Sequence, residues 1–222
     1  MTADTGRDLV DIWPLFGLEL HTPRLVLTPV RDEHLPALVH LARAGIHEPD
    51  RMPFGFPWTL LPDDEMRRGL AQYHWGVRAG VRPGNWAIEF AVLAQGAVIG
   101  VQALNGHDFT VRKTVTTGSW LGKSHQRHGY GTEMRAAVLC LAFDHLDAEI
   151  AESGAVTWNT ASLRVSEKLG YTHNGLTRHA VKEELIEEQL VRLHRDDFAR
   201  PGWPVRVEGL AASLGELLPS SA

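Results

Sequence analysis

The chain holds a single cysteine, Cys140, among 222 residues. An internal disulfide is therefore excluded, nothing points to an oxidising compartment, and a cytoplasmic location is expected. Long hydrophobic runs are lacking as well. No stretch approaches the roughly 18 apolar residues that cross a bilayer, and Met1 to Asp11 carries acids without an apolar leader core. No membrane partner is expected. Basic excess is also missing: 22 Lys and Arg face 27 Asp and Glu, for a net charge of -5. The phosphate-backbone attraction that drives nucleic-acid binding thus has no source, and no nucleic-acid partner is expected.

Several catalytic signatures fail on spacing. Gly118-Ser119-Trp120-Leu121-Gly122-Lys123-Ser124 approaches a P-loop but has three residues between its glycines, where four are needed. Gly129-Tyr130-Gly131-Thr132-Glu133-Met134 lacks the third glycine of a dinucleotide fingerprint. The serine of Gly118 to Gly122 stands one place early for a hydrolase elbow. Among twelve histidines, His125-x-x-His128 has no third ligand nearby and no H-E-x-x-H occurs, so no metal is expected.

What is present is a globular composition, 44% apolar and 22% charged. Its length fits one large domain with extensions, here an arm over 1–21, a domain over 22–200 and a tail over 201–222. The tail is rich in Pro, Gly, Ser and Leu, and reads either as packed chain or as an oligomer contact. Arg24 to Val30 alternates as a strand; Glu33 to Ala44 and Asp63 to about Gly80 carry helical spacing with caps. Three strand-like runs follow, Trp86 to Leu93, Val98 to Leu104 and Thr114 to Leu121, as an expected antiparallel meander. Then come a helix over Thr132 to Leu146, a strand near Ile150 to Trp158, a helix over Ala161 to Leu169, a strand from Tyr171 and a last one over Gln189 to His194. Cys140 shares the apolar face of its helix and reads as packing. The proline-rich segment Gly45 to Pro62 carries Met52, Phe54, Phe56 and Trp58, and is either the wall of a binding site or a cap on the core.

The most informative segment is Trp120 to Glu133. A strand ends, glycines permit a tight turn and a helix begins, so free backbone N–H groups and the positive helix end converge. That is an anion site suited to a pyrophosphate, with Gly129 and Gly131 admitting the ligand to the backbone and Arg127 adding charge. Gln126-x-x-Gly129-x-Gly131, Asn159-Thr160-Ala161-Ser162 and Glu167-Lys168-Leu169-Gly170-Tyr171 resemble the ordered signatures of the GCN5-related N-acetyltransferases (GNAT). The resemblance covers about Thr22 to Phe198, most like the ribosomal-protein N-acetyltransferase branch. More narrowly, Pro49 to Phe54, Val101 to Leu104, Gly118 to Gly122 and His128 to Arg135 are similar to an actinobacterial succinyl-CoA-dependent member.

The resemblance implies an α+β fold, with a mostly antiparallel mixed sheet, helices on both faces, and a splayed strand pair holding acyl-CoA. It implies that Ser119, Trp120 and Leu121 offer strand-edge N–H groups to the pantetheine, with an oxyanion donor near Trp120. Gln126, Arg127, His128, Gly129, Tyr130, Gly131 and Thr132 would form the phosphate loop, and Asn159 and Ser162 would orient the cofactor arm. Asn159 and Ser162 equally suit the first turn of a helix. Many members carry a tyrosine where this chain has Ser166, so Ser162 is the expected donor to the leaving thiolate. The acceptor is a primary amine, on a protein or a small molecule, and must lose a proton before it attacks. Asp108 is the first candidate for base, with His107 beside it and with Glu89, Glu183 and Glu184 as others. Met52, Phe54 and Trp58 are expected to wall the acceptor site, and Arg51 or Arg112 would meet the carboxylate of a succinyl donor. A CoA-sensing module without activity and a partner-binding protein are the two rival readings.

Overall fold

Nine strands make one sheet at the centre of the computed structural model, which describes residues 5–48, 51–181 and 184–219. They are β1 (Glu19–His21), β2 (Leu25–Pro29), β3 (Trp86–Ala94), β4 (Ala97–Gly106), β5 (Thr114–Leu121), β6 (Ile150–Val156), β7 (Thr172–Val181), β8 (Glu184–His194) and β9 (Arg206–Glu208). The helices are α1 (Thr5–Ile12), α2 (Leu35–Ala44), α3 (Asp63–Ala79), α4 (Phe109–Arg112), α5 (Tyr130–Cys140), α6 (Thr160–Lys168) and α7 (Leu210–Leu217). The order across the sheet is β7-β8-β6-β5-β4-β3-β2-β1-β9. Every pairing is antiparallel except β5 with β6.

Local chemistry explains most boundaries. A left-handed Gln95-Gly96 turn closes the β3–β4 hairpin. Asp63, Asp64 and Glu65 place negative charge on the first turn of α3, against the positive end of its dipole. Helix α5 starts two residues earlier than expected, and its last turn widens to a π-turn over Leu141–His145. Strand β8 is longer than its apolar end predicts. Its first residues, Glu184 to Ile186, pair only with the exposed β7, so no buried face imposes alternation on them.

Two apolar clusters sandwich the sheet. On one face α5 buries Met134, Val138 and Leu139 against Leu27, Phe90 and Val115. On the other, Leu35, Leu38 and Leu70 of α2 and α3 pack on Ala91 and Val101. Cys140 lies in the first cluster, and burial pushes its thiol up to about 11, which suits packing and not a nucleophile.

Arm and tail find each other at the sheet edge. Strand β1 pairs with β9, Ser213 donates to the Pro14 carbonyl (3.1 Å), and Leu217 is fully buried. Gly209 is left-handed (φ 69), and a Cβ there would overlap the Gly17 carbonyl, so only glycine allows this approach. Leu217→Ala should therefore cost about 2–5 kcal/mol, read as a lowered urea midpoint. An unchanged midpoint would mean that the tail does not close the core.

Candidate active site

Strands β5 and β6 run together for three residue pairs, Thr114↔Ile150, Val115↔Ala151 and Thr116↔Glu152, and then part. At the fork the Ser153 hydroxyl donates to the Thr117 carbonyl (2.9 Å). Beyond it, the Gly122 N–H donates to the Ile99 carbonyl of the next strand (3.0 Å). Antiparallel alternation then turns the backbones of Gly118 and Trp120 toward β4, and those of Ser119 and Leu121 toward the gap. Trp120, where the oxyanion donor was expected, thus keeps its own N–H inside the ladder; its two neighbours face the opening. The Leu121 carbonyl is already taken by Gln126 Nε2 (2.9 Å), which also donates to Ile46 (2.8 Å). Gln126 is a bracket holding the loop to the strand end. The Ser119 N–H and carbonyl and the Leu121 N–H remain for a ligand.

The gap leads to the start of α5. Arg127 (φ 64) and Gly129 (φ 83) are left-handed, and Gly129 caps the helix with no side-chain hydrogen bond on its N–H groups. The first bond inside the helix runs from the Glu133 N–H to Gly129, so the N–H groups of Tyr130, Gly131 and Thr132 stay open. The residues that hold this loop were not legible in the sequence. Buried Glu133 accepts from the Thr22 hydroxyl (2.6 Å), the Arg24 N–H (3.0 Å) and Arg24 Nε (2.7 Å). Arg24 then donates to the His128 carbonyl (2.9 Å), and its guanidinium lies over the Tyr130 ring (4.7 Å). The expected loop residues are thus anchored to β2 by an ion pair spanning 109 positions in sequence.

On the far wall Asn159 caps α6: its side-chain oxygen accepts the Ser162 N–H (3.2 Å). Ser162 receives the Ser166 hydroxyl at its carbonyl (3.4 Å). Behind them Arg135 of α5 is only 3% exposed. It donates to Ser166 Oγ (2.9 Å) and reaches Ser119 Oγ (3.5 Å). Burial pulls its pKa down and pushes that of Tyr171, whose hydroxyl meets the Thr117 hydroxyl (3.5 Å), up.

The opposite face of β5 looks toward α2 and α3. Register aligns Glu89, Ala103 and Gly118 across three strands, and a Cβ on Gly118 would meet nothing within 4 Å. The row is a shallow trough ending at the gap. One side is aromatic, with Trp120 on Trp58 (5.9 Å between rings) and Trp58 on Phe54 (5.5 Å). The other side is Asn105, bonded to Thr116 (3.3 Å), where a cavity of about 310 Å³ opens beside Gly76, His107 and Arg112. Phe54 and Trp58 are therefore brought to the gap through Trp120. Met52 is half-buried in the same loop, and the Arg51 guanidinium lies 5.7 Å over Trp158, at the end of β6.

Glu89 closes the trough. Tyr73 of α3 donates to it (2.6 Å), and burial raises the carboxyl pKa despite that bond. Asp108 is not brought to the gap. It sits exposed before α4, beyond the Gly106↔Val115 end of the ladder, with its carboxylate on His107 (3.3 Å). The loop turns away there because Phe109 fills the core under Trp86 (5.4 Å). Glu184 is exposed on β8; Pro49, Asp50 and Glu183 lie outside the described residues. Among the described residues the trio with metal-ligand spacing is Glu19, His21 and Glu208, at the β1–β9 edge and far along the sheet order from the gap. His125 and His128 are not part of it. No described helix is long and apolar enough to cross a membrane.

A sequence model of the acetyltransferase (GNAT) domain matches residues 24–172. Among solved structures, the Mycobacterium smegmatis RimJ in complex with CoA-disulfide is similar at a TM-score of 0.71 and 19% identity, covering 84% of this chain and 91% of that one. RimL, a ribosomal L7/L12 alpha-N-protein acetyltransferase in complex with coenzyme A, gives 0.64 and 18%, covering 78% and 95%. A GCN5-related N-acetyltransferase from Brucella melitensis gives 0.64 and 19%, covering 81% and 79%. At these identities the likeness is one of fold.

The α2–α3 face carries its own pH signature. His74 of α3 is buried, its Nδ1 has no partner, and burial lowers its pKa to about 4. The unfolded chain binds this proton near pH 6.5 and the folded one does not, so stability is lost as pH falls from about 6.5 toward 4. We expect His74→Leu to remove up to about 3 kcal/mol of that acid loss. Parallel stability–pH curves for the two proteins would contradict it.

Proposed function

The chain belongs to the acetyltransferase (GNAT) family, and we propose that it moves an acyl group from acyl-coenzyme A to a primary amine by direct attack in a ternary complex. One observation carries the reading: a strand edge with the Ser119 N–H and carbonyl and the Leu121 N–H unpaired runs from the β5–β6 fork toward the uncapped start of α5. Pantetheine amides match the first and a pyrophosphate the second. Ser119, Leu121, Arg127 and Gly129 to Thr132 would hold the donor. Gln126, His128 and Asn159 would shape that wall, Gln126 as a bracket and His128 through the carbonyl that Arg24 grips. Ser162 would face the cofactor arm from the first turn of α6.

Of the carboxylates, Glu89 is the best supported base. Burial raises its pKa and so makes it a stronger base than an ordinary carboxylate, and only the small residues Ala103 and Gly118 stand on the sheet over the roughly 10 Å between it and the gap. Glu152, nearer the fork, is committed to Arg192 (2.7 Å). The amine proton would leave through the trough as the nitrogen attacks, with the N–H groups flanking Trp120 facing the developing oxyanion. Solved relatives of the RimJ and RimL type favour a protein amine as acceptor. The donor is acetyl- or succinyl-CoA; resemblance to the succinyl-dependent branch and Arg51 at the mouth support the latter. A reducing cytoplasm suits the single buried thiol.

Side-by-side calorimetry with CoA, acetyl-CoA and succinyl-CoA tests the donor reading. Wild type should bind all three, and a succinyl preference of tenfold corresponds to about 1.4 kcal/mol. Gly131→Asp, which sets a carboxylate among the open N–H groups, should abolish binding; retained affinity would overturn the loop assignment. For the chemistry, Glu89→Gln should lower kcat by about 10² or more while leaving acyl-CoA affinity alone, and Asp108→Asn should leave kcat unchanged. The reverse pattern would return the role to Asp108. Binding without turnover on any amine would favour the CoA-sensing reading, and no binding at all the partner-binding one.

A further inference from the structure

Arg135 is a buried cation with no carboxylate. No described residue forms an ion pair with it, and its Nε has no hydrogen-bond partner. Its other nitrogens meet only hydroxyls, Ser166 Oγ at 2.9 Å and Ser119 Oγ at 3.5 Å. A guanidinium taken out of water without an anion is costly by several kcal/mol, so a fold that keeps one has a use for its charge. The surroundings repeat that need. Thr117 and Ser119 of β5, Ser166 of α6 and Tyr171 before β7 turn hydroxyls into the same space, under the edge where β5 leaves β6. Gln102 of β4 bonds through its amide nitrogen to the Gly118 carbonyl (3.1 Å). The acid on Arg135's own helix, Glu133, is turned away to Thr22 and Arg24. The result is a buried cluster of one positive charge and several hydroxyls, whose chemistry suits a small monovalent anion.

Resting on the acyl-CoA reading above, we propose that Arg135 is the charge partner of the coenzyme A sulfur, holding it as thiolate when the acyl group departs. The amine nitrogen forms its bond to the thioester carbon, the carbon–sulfur bond breaks, and the electron pair leaves on sulfur. The amine proton goes to the acceptor-side base, so the sulfur needs no proton from the donor side. This accounts for Ser166: with a guanidinium at 2.9 Å, α6 supplies an oxygen that orients the cation and not an acid that protonates the sulfur.

The test compares CoA with desulfo-CoA, which lacks the thiol, by calorimetry across pH. A free thiol ionises near pH 8.5, and a cation beside it lowers that value in the complex. Wild type should therefore bind CoA about tenfold tighter than desulfo-CoA near pH 8.5, the advantage fading toward pH 6. In Arg135→Met, an apolar replacement of similar length that should fold, the two ligands should bind alike at every pH. Arg135→Lys should keep part of the advantage. Equal affinities in wild type at all pH values, or an advantage that survives in Arg135→Met, would overturn the proposal. So would a loss in Arg135→Met confined to succinyl-CoA, which would give the guanidinium to the acyl carboxylate. Failure of CoA and desulfo-CoA alike to bind would instead remove the acyl-CoA reading itself.

Discussion

Where β5 lets go of β6, the backbone of one strand is left without its partner, and the rest of the molecule is arranged around that opening. Unpaired strand groups facing an interior must be satisfied, and the chain does so selectively. Ser153 caps the carbonyl at the fork and Gln126 the carbonyl at the far end. Only the stretch between them keeps free donors and an acceptor. That short edge is long enough for an extended amide-bearing arm and too well bracketed to zip onto another strand.

The two faces of the sheet set different groups around the gap. On the α5 side stand Arg24 at the loop, paired with Glu133, Arg135 in the interior and the open N–H groups of the helix start. On the opposite face stand Glu89 at the end of the trough, Glu152 beside the fork and Glu188, whose carboxylate packs where a Cβ of Gly154 would be.

Much of the frame could be read from residues alone, because it rests on short-range rules. Period-two alternation marked β2 to β5, caps and glycines marked α2 and α3, and the spacing Gln126-x-x-Gly129-x-Gly131 marked the turn before α5. The strand edge at Ser119 and Leu121 followed from the same segment, although the assignment to Trp120 ignored which way alternate N–H groups point. Reading failed for β1, β9 and α7, whose amphipathic signal is short and whose partner lies at the other end of the chain. It failed for the first residues of β8, which border no core.

The site divides along the same line. The sequence by itself determined the glycine turn before α5, the α6 cap at Asn159 and the aromatic loop from Phe54 to Trp58, since each needs only neighbours in the chain to form. The tertiary structure alone decided that Arg24 and Glu133 anchor the loop, that Glu89 and not Asp108 faces the trough, and that Arg135 meets Ser119 and Ser166 without an acid. Those are pairings between side chains tens to more than a hundred residues apart. No local pattern encodes them, because the sheet register, and with it the distance between such groups, exists only once the whole core has packed.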